Sequence, residues 1–96
     1  MNLVWTGLAT RDRASIRQYV ASDNPSAAIA LDELLSSKAA VLLDHPRLGR
    51  PGRVDRTREL VVHRNYILVY DVSDDRIRTL RVLHSARQWP PADLPG

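Results

Sequence analysis

Residues 84–89, HSARQW, place an imidazole (His84), a guanidinium (Arg87) and an indole (Trp89) within six positions. That set suits nucleic acid, because arginine neutralises phosphate, tryptophan stacks on a base and histidine moves a proton. Metal-free cleavage of RNA needs little more. A base must take the 2′-hydroxyl proton, a cation must stabilise the charge on phosphorus, and an acid must protonate the leaving oxygen. Arg58, Arg81, Arg87 and His84 are the candidates for those roles, with Glu59 as a further base. Without chemistry, Arg58, Arg81, His84, Arg87 and Trp89 remain candidates for contact with a target or a nucleic acid. A purely structural alternative pairs Arg58 with Glu59 on a sheet and folds Trp89 back as an apolar lid. His45, beside Pro46, reads as a helix end, and His63 as an exposed residue in a hairpin turn.

No other catalytic pattern is present in the sequence. It lacks a phosphate-binding glycine loop, an HExxH helix, metal-ligand spacing and a nucleophile elbow. It has no cysteine, which removes disulfides and thiolate metal sites and fits a reducing compartment. No cofactor is expected. No apolar run approaches the roughly 18 residues of a membrane span, and the first residues lack the order of a signal peptide, so a soluble cytoplasmic protein is expected.

Charge is distributed unevenly. Residues 1–45 carry four basic and five acidic side chains, residues 46–96 ten and six, and thirteen of the fourteen basic residues are arginine. Five of those arginines fall between Arg47 and Arg58. The guanidinium fork matches phosphate and carboxylate, so the cluster points to an acidic partner, although a GC-rich genome also favours arginine.

The elements that must position these groups follow from pattern. At 96 residues the chain is expected to form one domain spanning 1–96. Asn2 to Trp5 reads as a strand. Thr6 can cap a helix running to about Ala21, with Leu8, Ala9, Ile16, Tyr19 and Val20 as a partial apolar stripe that Asp12 and Arg13 interrupt. Asp23-Asn24-Pro25 announces a second helix through Asp44, along which Ala28, Leu31, Leu35, Ala39 and Leu42 recur at helical spacing. Pro46 to Arg56 is an ordered loop or a mobile flap. Apolar runs at Leu60–Val62, Tyr66–Val72 and Ile77–Leu83, split by two short polar breaks, predict an antiparallel meander. Residues 90–96 read as a frayed, flexible tail. The expected class is α+β: an N-terminal strand, an antiparallel helical hairpin and a three-stranded antiparallel meander. Together these give a four-stranded sheet with the helices on one face. Strict alternation would set Arg78, Leu80, Val82 and His84 on one side of the last strand and Ile77, Thr79, Arg81 and Leu83 on the other.

In that order of elements, HPRLGRPG, TRELVVHRNYILVYDV and VLHSARQWP resemble the RelE/ParE superfamily of toxins from type II toxin-antitoxin systems, over nearly the whole chain. The resemblance implies a cognate antitoxin whose C-terminal segment wraps the toxin, with operator DNA bound only through the antitoxin. RelE-like members cut mRNA in the ribosomal A site with an arginine in the middle strand and another near the end of the last. Arg87 matches the second, but Ile67 occupies the first, and the lysines of that site are missing, Lys38 being the only lysine. ParE-like members lack the ribonuclease set and are linked to poisoning of DNA gyrase. NYILVY and HSARQWP are closer to the ParE-like branch, so the expected function is a growth-arresting toxin that binds a target such as gyrase. The alternative is a ribosome-dependent endoribonuclease in which Arg58, His84 and Arg87 replace the usual cluster. A third reading is a degenerate toxin kept as an antitoxin-binding partner. By the same resemblance, the antitoxin covers apolar surface around the hairpin and sheet, or adds a strand to an exposed edge.

Overall fold

Local capping signals set both helices. In the computed structural model, which describes residues 1–86, Thr6 takes an extended backbone and its hydroxyl accepts from the Ala9 N–H. It thereby starts α1, Gly7–Ala21. Asn24 does the same for α2, Pro25–Val41, accepting from the Ala27 N–H, with Pro25 in the first turn where a missing donor costs nothing. α2 ends three residues before the expected Asp44, because Leu42, Leu43 and Asp44 bond three residues back and tighten the last turn. Arg87, Trp89 and the tail at 90–96 lie outside the described residues.

The strands are β1 (Asn2–Trp5), β2 (Arg50–Pro51), β3 (Arg58–His63), β4 (Tyr66–Ser73) and β5 (Arg76–His84), in sheet order β1-β5-β4-β3-β2. The meander matches expectation, and β1 joins the sheet beside β5. Two points correct it. The sheet has five strands rather than four, and it is mixed, since β1 runs parallel to β5. β2 is a two-residue edge strand, where Pro51 has no second neighbour to supply with a hydrogen bond.

The alternation expected along β5 also breaks. Val69 pairs with Arg81 but Tyr70 with Thr79, so a bulge at Leu80 brings Ile77 and Thr79 onto the same face as Val82. A carboxylate far away in sequence holds that bulge. Asp12 accepts from the Val82 N–H at 2.9 Å and from the Arg81 guanidinium at 2.8 and 3.1 Å.

The core lies between that face and the hairpin. Leu35 and Ala39 of α2 and Leu42 at its C-terminal cap meet Leu60, Val62, Leu68, Tyr70, Ile77 and Val82, with Leu3, Trp5, Ile16 and Tyr66 packed at the margin. From the predicted α1 stripe, Leu8 and Tyr19 are instead exposed, at 55% and 72%. The residues that interrupt the stripe explain why: Asp12 is turned to β5, while Arg13 lies over the Trp5 ring at 4.3 Å and bonds Asp32 of α2 at 3.0 Å through two nitrogens. Polar contacts therefore do part of the docking of α1.

Hydrogen bonds from Arg13, with a smaller contribution from Arg17, hold the Asp32 carboxyl below its ordinary value against the opposing effect of burial. A carboxyl depressed in the folded state stabilises fully above its unfolded pKa of about 4 and loses that contribution as pH falls through the folded value. Asp32→Asn is therefore expected to be less stable than wild type at pH 7 by up to about 1 kcal/mol. The gap should close as urea midpoints are followed below about pH 4. A gap constant with pH would show that the charge is irrelevant.

Candidate functional site

The register of the meander gathers aromatic and imidazole groups at one end of the sheet. His63 pairs with Tyr66, and Tyr66 with His84. The Tyr66 ring centroid lies 6.1 Å from that of His63 and 5.3 Å from that of His84, the second contact edge-on. Asp12, Ser15, Ile16 and Tyr19 of α1 and Asn65 of the β3–β4 turn close a recess of about 740 Å³ over Tyr66 and His84. His63 is half-buried as the last residue of β3, not a turn residue. Counting Arg64-Asn65 as a two-residue hairpin loop in the sequence would have aligned it with Tyr66.

The imidazoles face this end in a defined way. His84 Nδ1 accepts from the Ala86 N–H at 3.1 Å, and His63 Nδ1 from the Asn65 N–H at 3.2 Å. In the neutral ring the proton then sits on Nε2, so each histidine offers a donor. Taking a proton at Nε2 would require moving the resident one to Nδ1, against a backbone N–H.

Of the arginines predicted to join His84, the two among the described residues, Arg58 and Arg81, are engaged by other partners. Arg81 is bound to Asp12, whose side-chain bond raises the already high guanidinium pKa against partial burial. Arg58 donates to the carbonyls of Gly49 at 2.7 Å and Arg47 at 3.4 Å. It begins β3, and His63 ends it, so about 17 Å of strand separates Arg58 from the histidine end. Of the predicted set, Arg81 and His84 thus share one end of β5, while Arg58 stands at the opposite end of the sheet.

Arg58 and Glu59 do not pair, because adjacent strand residues point to opposite faces. Glu59, 3% exposed, takes the Arg53 N–H at 3.0 Å and the Arg50 guanidinium at 3.3 Å, with the Arg53 guanidinium 3.6 Å away. Ile67 is buried between Val61 and Leu83 on the face away from the helices.

The segment between α2 and β3 is a pinned loop. The buried Tyr70 hydroxyl donates to the Pro46 carbonyl at 2.8 Å and accepts from the Gly49 N–H at 2.9 Å. Burial pushes the phenol pKa up, so the hydroxyl keeps its proton. Beyond Gly49, the Gly52 N–H reaches the Thr57 carbonyl at 2.7 Å and closes the tip. Among the described residues no group of three or more His, Asp or Glu side chains is placed to hold a metal ion. No helix among them is long and apolar enough to cross a membrane.

This architecture, two helices on one face of a small mixed sheet, is shared with known toxins. The family described as ParE toxin of type II toxin-antitoxin system, parDE, matches residues 3–89. A protein of Sinorhizobium fredii named toxin Y4kP is 38% identical over 87 residues, covering 90% of each chain. Toxin RelE2 of Caulobacter vibrioides is 35% identical over 85 residues, covering 88% of this chain and 96% of its own. A solved structure titled as the chromosomal ParDE system from P. aeruginosa superposes with a TM-score of 0.76 at 26% identity, covering 88% of this chain and 95% of that one. The chain belongs to the ParE toxin family of type II toxin-antitoxin systems, and membership implies an antitoxin partner.

Proposed function

We infer that this protein is a ParE-like toxin that arrests growth by binding a cytoplasmic target such as DNA gyrase, and that a cognate antitoxin neutralises it. The observation that carries the reading is the dispersal, among the described residues, of the candidate groups for a metal-free ribonuclease, Arg87 lying outside them. Arg58 is spent on loop carbonyls about 17 Å of strand away from His84. Arg81 is neutralised by Asp12. His84 offers a proton but has its Nδ1 lone pair occupied, and Glu59 is buried beneath arginines. A base, a free cation and an acid within reach of one phosphate are not assembled from these residues.

The test is one preparation in two assays. A ParE-like toxin is expected to inhibit supercoiling by purified gyrase, or to trap cleaved DNA on it, and to leave mRNA on translating ribosomes intact. Cleaved mRNA, abolished by Arg87→Ala with antitoxin binding retained, would replace this reading with the ribonuclease alternative. Growth arrest without either effect would mean another target.

A further inference from the structure

The net charge of the chain is +3, and it resides in one loop. Residues 46–59 hold Arg47, Arg50, Arg53, Arg56 and Arg58 against Asp55 and Glu59, a balance of +3, so the remainder carries nine basic and nine acidic residues. The loop is fixed by internal contacts. Tyr70 pins its start, the bond from Gly52 to Thr57 closes its tip, and Glu59 ties Arg50 and Arg53 from below. Those two guanidinium side chains remain 57% and 46% exposed, so each keeps donors directed outward. Arg47 and Arg56 are exposed, and neither side chain has an ion pair or hydrogen bond among the described residues.

Arg56 adds an independent observation. Its φ is +65°, and it is the one described non-glycine residue in the left-handed region. Glycine would hold that turn without the cost of about 1–2 kcal/mol that a Cβ incurs there. An arginine kept in such a conformation points to a use for its side chain rather than for its backbone.

We propose that this loop is a nucleic-acid contact, with Arg47, Arg50, Arg53 and Arg56 gripping the phosphodiester backbone without reading sequence. Phosphate fits better than an acidic peptide around Arg50, Arg53 and Arg56, because none of residues 50–58 is an exposed large apolar side chain; the loop's one such side chain is Leu48, at 53%, beside Arg47. A hydrated polyanion needs no apolar anchor, and arginine forks match its oxygens. The contact goes beyond the choice of cellular target, because the phosphodiester could be DNA held by gyrase or RNA in a ribosome. Its test reads binding by the isolated chain, so it fails or stands apart from the gyrase and ribosome assays.

Fluorescence anisotropy with a labelled DNA duplex and, separately, a labelled RNA single strand, measured over a range of salt, provides the test. The full chain is expected to bind at least one of them, and preference between the arms identifies the source. The variant Arg47→Gln/Arg56→Gly should bind about tenfold or more weakly at low salt, with the slope of log affinity against log salt reduced by about two. Its melting temperature should be unchanged or raised, since Arg56→Gly relieves the backbone. The control Arg64→Gln/Arg76→Gln removes equal charge from the β3–β4 turn and the start of β5, and should leave the slope nearly unaltered. No binding to either nucleic acid, or equal losses in both variants, would overturn the proposal. So would a loop variant that keeps nucleic acid but loses a polyglutamate peptide, which would assign the loop to an acidic protein partner.

Discussion

Tyr70→Phe is expected to lower stability by about 2 kcal/mol, which for a chain of this size is a fall of about 10 °C in melting temperature. The ring would still fill its place in the core, so the loss isolates the hydroxyl. That hydroxyl is the partner of two loop groups at once, the Pro46 carbonyl and the buried Gly49 N–H. Removing it leaves a buried donor unsatisfied, which costs more than the net value of the bond. Gly49→Ala attacks the same junction from the other side. A Cβ there would come within 2.8 Å of the Tyr70 ring and hydroxyl and 2.9 Å of the Glu59 carbonyl, and the last of these is backbone. Either the loop or the edge of β3 must shift, at about 1–3 kcal/mol. Because both substitutions break one junction, the double variant should lose less than the sum of the singles. Full additivity in urea denaturation would mean that Tyr70 and Gly49 act separately and that the loop is not pinned here.

How far the sequence carried the fold depended on how local each signal was. Thr6 and Asn24-Pro25 act within one helical turn, so both helix starts were legible. The meander was legible because its turns are two residues long and its strands are apolar. β2 was not, since two residues containing a proline show no alternation, and the strand exists only because the loop is fastened alongside β3. The bulge at Leu80 could not be read either. It answers to Asp12, 70 residues away from Val82, and Asp12 looked only like a defect in an apolar stripe. The same holds for the candidate site. Residue types suggested Arg58, Arg81 and His84 as one group, but partner choice decides whether an arginine is available, and those partners come from α1 and from the loop.

Glu59→Gln is expected to turn the arginine loop from a protected into a protease-sensitive segment. The carboxylate is 2% exposed yet serves the Arg53 N–H, the Arg50 guanidinium and the nearby Arg53 guanidinium. Glutamine keeps the shape and one acceptor oxygen, loses the charge, and turns an NH₂ group toward a cation. Bonds to charged groups contribute about 1.5–3 kcal/mol, so the loop should open roughly thirtyfold more often. Trypsin reports that opening directly, because the loop supplies its own arginines and cleavage follows the open population when reclosing is fast. Fragment masses should locate the new cuts between Arg47 and Arg58, with β4 and β5 untouched. Cleavage at the wild-type rate would sink the idea that a buried carboxylate holds the loop. Arg50→Gln/Arg53→Gln separates charge from scaffold: it removes the cations but leaves the Glu59 bond to the Arg53 N–H. If it resists trypsin better than Glu59→Gln, even at the arginines it retains, the backbone bond fixes the loop. The guanidinium groups above it would then be held by Glu59 without being needed to keep the loop closed.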